Sequence, residues 1–309
     1  MKSVVVRSFG GPEVLEVADL PEPDVGERQV LVRVAAAPVT AVDLDIRSGE
    51  LAGYLADLDY YALGRSAAGV VERVGAQVTD FVEGDHVMGV CGPLASPYAA
   101  QAEKVVFDLG HVVHAPRRAT LAQASTLPLN GLTADQALQA LDLPRGATVL
   151  VTGAAGCVGG FVVELARHRG LRVAAHARKS DEKTLLRMGA EHFIARDTDL
   201  ATAVREWAPR GVDGVVDTAV LKDVAAETVK DGGRFVTLVI GGEPKPGRDV
   251  QVHPVWAKPD AGRLADLANL VDKGFVTPRV AEAFPLAAVA EAHARFARGN
   301  VRGHLIVKP

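Results

Sequence analysis

The stretch with the most specific chemistry is Val149-Leu150-Val151-Thr152-Gly153-Ala154-Ala155-Gly156-Cys157-Val158-Gly159. An apolar strand pattern runs into a glycine turn, and a helical pattern follows. That order suits a bound pyrophosphate. One glycine lets the backbone approach the phosphates, and a later one lets helix and strand pack closely. The helix N-terminus adds N–H groups and the positive end of its dipole. Gly156 and Gly159 stand at those two places; Ala154 stands where a first glycine is usual, with Gly153 one residue earlier. Ala155, Gly156, Cys157, Val158 and Gly159 are the expected cradle of a dinucleotide. A glycine-rich packing turn is the plain alternative, and the strand–helix units that follow argue against it. A helix N-terminus lowers a thiol pKa, so Cys157 is read either as a small packing residue or as a reactive thiol.

The second strand of such a unit selects the nucleotide. A site for NADH carries Asp or Glu about 20 residues on, to bind the ribose hydroxyls. Here residues 172–177 end without a carboxylate and run into Arg178-Lys179. A 2′-phosphate suits a basic pair, and a carboxylate there would repel it. The expected cofactor is therefore NADPH; the competing reading is a solvated start of a helix. Asp181 and Glu182 fit the first turn of that helix, where acids are favourable.

These residues need a frame. A chain of 309 residues corresponds to about two domains. With 48% hydrophobic and 23% charged residues it has the composition of a globular protein with a buried core. A net charge of −4 gives no electrostatic case for nucleic acid. The two cysteines, Cys91 and Cys157, cannot build a disulfide framework or a four-thiolate zinc site. The first residues read as a strand rather than an export signal. No apolar run reaches the roughly 18 residues of a membrane span, and the cytoplasm is the expected compartment.

The first third reads as β-rich, with strands at residues 2–7, 14–17, 29–35, 69–74, 86–90 and 100–107 punctuated by glycine and proline. Such spacing predicts a sandwich or barrel-like unit. From residue 120 the texture changes: helices at 120–127 and 132–141 precede alternating strands and helices. The strands are predicted at 148–152, 172–176, 192–194, 212–218 and 234–240. The helices are predicted at 158–169, 180–188, 200–208 and 221–229. This alternation predicts an α/β domain with a doubly wound parallel sheet. Helices at 262–273 and 286–298 and a strand at 304–307 close the chain, and that strand is expected to return to the first domain.

Several segments together resemble one family. Phe9-Gly10-Gly11-Pro12-Glu13-Val14-Leu15 is similar to the start of the medium-chain dehydrogenase/reductases, in their zinc-free quinone oxidoreductase (zeta-crystallin-like) branch. Residues 42–49, 64–75, 84–87, 127–137, the glycine turn and Asp231-Gly232-Gly233-Arg234 extend the likeness, in order, over nearly the whole chain. The resemblance implies a GroES-like catalytic domain from residues 1–122 and 259–309, and a Rossmann NADP-binding domain at 123–258. It implies NADPH-dependent reduction of a quinone or activated double bond, by a homodimer with a small-molecule substrate.

It also implies site residues. Relatives often carry Asn where Thr40 stands, and Tyr or Lys where Asp45 stands. Thr40 still donates and accepts a hydrogen bond, and Asp45 becomes a proton donor if burial raises its pKa; the competing reading of Asp45 is an ordinary exposed acid. Tyr54, Tyr60 and Tyr61 either line a substrate pocket or pack their loop. Thr133 matches a position near the nicotinamide, Ala219 joins the cofactor lining, and Val239 and Ile240 are expected at a strand end beside the carboxamide. Trp256 and Lys258 line the substrate mouth, or Trp256 is core. Where zinc-dependent relatives have a His-Glu segment, this chain has Gly64-Arg65-Ser66-Ala67. The histidines show no ligand spacing; His111 and His114 are read on an extended segment. No metal is expected. A pathway-specific enoyl reductase and an NADPH-binding structural or regulatory protein with little turnover are the alternative functions.

Overall fold

Valines at the start of the chain make β1 (Lys2–Val6), in which Val4, Val5 and Val6 are fully buried. In the computed structural model, which describes residues 1–245 and 247–309, β1 pairs antiparallel with β2 (Leu15–Asp19) and with β4 (Tyr61–Ala62). The larger sheet of this region is built on β3 (Gln29–Val39). Register shifts between Leu31 and Val32 and between Val34 and Ala36 bend β3. It pairs with β5 (Ser66–Val74) and β7 (Lys104–Asp108), while β6 (His86–Val90) and β8 (Val112–His114) continue outward from β5. Helix α1 (Ala41–Ser48) follows β3 directly, and the short α2 (Leu121–Ala124) ends this part of the chain.

A long helix, α3 (Leu127–Leu141), leads into the parallel sheet. It starts five residues before the expected residue 132, because Pro128 sits in its first turn, where a missing N–H costs nothing. The strands are β9 (Thr148–Thr152), β10 (Arg172–Ala177), β11 (His192–Ala195), β12 (Val212–Asp217), β13 (Val229–Thr237) and β14 (Gln251–Pro254). Their order is β11-β10-β9-β12-β13-β14, all parallel. Val149, Leu150 and Val151 of β9 are fully buried, each stabilising the sheet by about 1.5–3 kcal/mol. The crossovers carry α4 (Cys157–His168), α5 (Glu182–Met188), α6 (Leu200–Trp207) and α7 (Asp223–Ala226).

After α8 (Ala261–Asp272), β15 (Val280–Pro285) and α9 (Val289–Ala297), the last strand, β16 (His304–Lys308), pairs with β3, as its sequence pattern suggests. The chain divides into two compact units. Unit 1 is Met1–Leu129, Pro259–Gly274 and Pro278–Pro309; unit 2 is Asn130–Lys258 and Phe275–Thr277.

Two elements differ instructively from the sequence reading. The helix expected at 221–229 shrinks to α7, and the strand expected at 234–240 becomes Val229–Thr237. Val229 pairs with Val212, and a bulge then shifts the register to Gly214–Arg234. Gly232, at φ 66°, supplies the left-handed residue inside the strand. Strand β7 starts at Lys104 rather than 100, and β14 and β15 were not expected; of the two histidines read on an extended segment, His114 ends β8, whereas His111 lies in a 3-10 turn.

Candidate active site

In unit 2 the strand order reverses between β9 and β12. Ligands of open parallel sheets bind beyond the carboxyl ends of the strands at such a reversal. The strand ends there are polar and in register: His176, Thr152, Asp217 and Thr237 stand side by side on β10, β9, β12 and β13. Thr152 Oγ1 donates to Asp217 Oδ1 at 2.5 Å, bridging the reversal itself. Both residues are buried. His176 is buried beside them, and burial pushes its imidazole below the usual range, opposed by the Asp217 carboxylate.

The glycine turn leaves β9 at this point. Gly153 has φ 58°, a left-handed conformation that glycine adopts without strain. A methyl group on Gly159 would fall on the Gly153 carbonyl and on Ala154 Cα, so α4 packs against the turn only because residue 159 has no side chain. Gly156 is the N-cap of α4 and has room on its outer face: a methyl group there would meet only the Gly153 carbonyl, at 3.1 Å. Cys157 opens the helix; Ala155, Cys157 and Val158 are half-buried. These features meet the steric needs of a dinucleotide phosphate turn.

The other expected cofactor residues are distributed around the same edge. Arg178 directly follows β10 and caps a 3-10 turn, Lys179–Asp181. Lys179 pairs with Glu182 at 2.8 Å and lies 5.7 Å over the Phe193 ring. Ala219 follows β12 and is exposed. Val239 and Ile240 lie past the end of β13, which stops at Thr237, and both are exposed. The expectation that they end a strand is corrected: the Thr237 side chain engages Val239 at 3.4 Å and turns the chain out of the sheet. Thr133 is half-buried on α3. Trp256 is exposed, and Lys258 is fixed by its backbone, which exchanges hydrogen bonds with the Gln136 amide.

Unit 1 holds the residues expected to act on a substrate. Thr40 is the N-cap of α1 and is buried. Its hydroxyl and backbone N–H both donate to Asp43 Oδ2, at 2.7 and 2.8 Å. Asp43 Oδ1 accepts from the Gly64 N–H at 2.8 Å. The Thr40 proton is thus engaged in capping its own helix. Burial raises the Asp43 pKa, against the lowering effect of those hydrogen bonds and of Arg65. Asp45, two residues on, is half-buried, and burial followed by the charge of Glu50 raises its pKa too. Tyr54 ends a 3-10 turn and is exposed, whereas Tyr61 stacks on Phe9 at 5.8 Å and bonds Ala56, and Tyr60 lies under Arg7. Tyr60 and Tyr61 therefore pack their surroundings.

Sequence reasoning missed Asp217, Thr152 and Arg65. The first two had a signal: each is a polar residue closing an apolar strand, Val-Leu-Val-Thr and Val-Val-Asp.

Comparison with known proteins now decides the family. Residues 26–128 match the alcohol dehydrogenase GroES-like domain, and residues 188–307 match the zinc-binding dehydrogenase domain. A quinone oxidoreductase of Pseudomonas aeruginosa is 30% identical over 330 residues, covering 100% of this chain and 99% of the relative. The chain belongs to the medium-chain dehydrogenase/reductase family. An NADPH-dependent alkenal/one oxidoreductase of Arabidopsis thaliana, described as chloroplastic, is 30% identical over 318 residues, covering 100% of this chain and 80% of that protein. A crystal structure described as an NAD-dependent alcohol dehydrogenase superposes with a TM-score of 0.90 at 28% identity, covering 100% of both chains.

A zinc-binding family name calls for a test of the donors. Arg65 stands in the segment where zinc-dependent members of the family carry His-Glu. Its buried guanidinium donates to the carbonyls of Pro93, Cys91 and Gly92 at 2.7, 3.1 and 2.5 Å. A fixed cation there opposes a metal ion. Burial pushes the Cys91 thiol up to about 11. Among the described residues, no three His, Cys, Asp or Glu side chains come together as a metal site. These residues do not fit zinc. Among the described residues, no helix is long and apolar enough to cross a membrane.

Proposed function

We propose that this protein is an NADPH-dependent, zinc-independent reductase that acts on a quinone or an α,β-unsaturated carbonyl compound. The observation that carries the reading is the glycine turn at the strand reversal of unit 2, with Arg178 and Lys179 just beyond the neighbouring strand. When bound, NADPH supplies the hydride. Gly156 and the first turn of α4 hold the pyrophosphate, and Arg178 and Lys179 hold the 2′-phosphate. Ala219, Val239, Ile240 and Thr133 line the nicotinamide half.

Unit 1 supplies the acceptor's surroundings. Reduction places negative charge on the acceptor oxygen, which a proton must quench. Asp45 is the group suited to give it, since its raised pKa keeps the carboxyl protonated to higher pH. Tyr54, on the 3-10 turn that follows α1, is a second donor, and Thr40 holds the start of α1 in place through Asp43. Residues 1–122 with 259–309 form the catalytic domain and 123–258 the NADP-binding domain of a cytoplasmic homodimer.

The test is NADPH oxidation followed across quinones, enones and enoyl thioesters, before and after exhaustive chelation. Turnover of a quinone or enone that survives chelation is expected. Turnover of enoyl thioesters alone identifies an enoyl reductase, and NADPH binding without oxidation of any acceptor identifies a binding protein. Activity that chelation abolishes and zinc restores overturns the metal-free reading.

A further inference from the structure

We infer that Asp217 is a positioning residue that sets the two loops flanking the cofactor turn. The inference rests on the proposed cofactor site. Asp217 ends β12 and its carboxylate accepts twice: from the Thr152 hydroxyl at 2.5 Å and from the Lys222 N–H at 2.8 Å. Thr152 Oγ1 in turn accepts from the Ala219 N–H at 3.1 Å, and Thr218 donates its hydroxyl to the Thr152 carbonyl at 2.6 Å. Residues 218–222 are thereby tied at both ends to the reversal point. Lys222 then reaches the next loop, its ammonium donating to the Gly241 carbonyl at 2.9 Å. A chain of hydrogen bonds thus runs from the strand that carries the glycine turn to the loop of Val239 and Ile240.

The backbone shows why such a tie is needed. Val220 and Lys222 have φ of 57° and 51°, positive values that side chains with a Cβ disfavour, most of all β-branched ones. Residues hold such angles only where their surroundings over-determine them. The tie also bears on the turn, since a methyl on Gly153 would lie 2.7 Å from Thr218 Oγ1. Any shift of residues 218–222 therefore changes the space at the turn itself. An amide of the same shape can keep both contacts, because the Thr152 hydroxyl can accept from its N–H as readily as it donates to a carboxylate. Asp217→Ala, which removes both acceptors, releases Thr152 and Lys222 together.

The experiment titrates NADPH against the full-length protein and its Asp217→Ala, Thr152→Val and Thr152→Ser variants, with thermal melts and steady-state kinetics alongside. Asp217→Ala and Thr152→Val are expected to raise the NADPH dissociation constant and KM at least tenfold, with the KM for the acceptor changed less than twofold. Thr152→Ser, which keeps the hydroxyl, is expected to bind within threefold of the natural chain. If Asp217→Ala does not fold, the Thr152 pair decides alone. Variants that melt earlier yet bind NADPH within twofold of the natural chain overturn the inference and leave the cofactor reading standing. A natural chain that binds neither NADPH nor NADH overturns both.

Discussion

Arg178 and Lys179 are adjacent and alike in charge, yet their surroundings separate them. Lys179 is held by Glu182 at 2.8 Å, so a phosphate must compete for its ammonium. Arg178 sits at the strand exit, caps the turn that follows, and offers a planar fork suited to phosphate. Arg178→Ala is expected to cut the preference for NADPH over NADH at least tenfold, about 1.4 kcal/mol, and Lys179→Ala to cut it less. Binding titrations with both nucleotides measure this, and a natural chain with no preference would leave the basic pair as a solvated start of a helix. Single residues were legible in the sequence where a backbone constraint leaves a residue type behind. Gly153 and Gly159 mark themselves, because their places exclude side chains. Thr40 was legible as a position but not as a role: its tie to Asp43 depends on the cap geometry of α1. Asp217 and Thr152 meet across 65 residues of chain, and no local pattern records that distance.

At the scale of elements, the glycine turn and α4 separate stability from binding. A methyl on Gly159 would meet the Gly153 carbonyl and Ala154 Cα, two backbone groups fixed by the turn. Gly159→Ala is expected to push α4 off β9 and destabilise the fold by about 1–3 kcal/mol. A methyl on Gly156 meets only the Gly153 carbonyl, at 3.1 Å, and otherwise points into open space. Gly156→Ala is expected to lower the melting temperature less than Gly159→Ala does and to weaken NADPH binding through the lost approach to the phosphates. Melting curves paired with nucleotide titrations test the contrast; the reverse pattern would mean that the turn is a packing device. The same scale shows what sequence periodicity resolves. Strands β9 and β12, each carrying buried apolar residues on consecutive positions, were placed within a residue of their observed ends. Strand β13 was misplaced because Asp231-Gly232-Gly233 reads as a turn between elements, whereas the sheet absorbs it as a bulge. Strand β15, Val-Ala-Glu-Ala-Phe-Pro, is nowhere fully buried, and its short mixed sequence carries little signal.

For the whole molecule, the buried histidines of unit 1 set the response to acid. His293, on α9, is fully buried with both ring nitrogens lacking a hydrogen-bond partner. Burial, reinforced by the charge of Arg47, pushes its pKa down to about 3. His304, on β16, is driven to about 4 by burial and the Arg279 charge, against its bond to the Arg279 carbonyl. In the unfolded chain both titrate near 6.5. Between that value and the folded ones, the unfolded chain binds protons that the folded chain refuses, so stability falls as pH falls. The slope is at most about 1.4 kcal/mol per pH unit for each histidine. Asp43 acts in the opposite sense, since its raised folded pKa lets the native state take up a proton first as acid is added. Both tryptophans, Trp207 and Trp256, belong to unit 2, so far-UV circular dichroism, which follows the strands and helices of both units, is the better probe. Urea unfolding followed that way at pH 7 and pH 5 is expected to show a loss of up to about 2 kcal/mol per histidine. His293→Gln removes one titrating group while keeping a polar side chain in place, and it is expected to reduce that loss by roughly half. A natural chain equally stable at both pH values would show that these imidazoles gain solvent or partners in the folded protein, and the account of unit 1 as a closed core around α9 and β16 would fail with it.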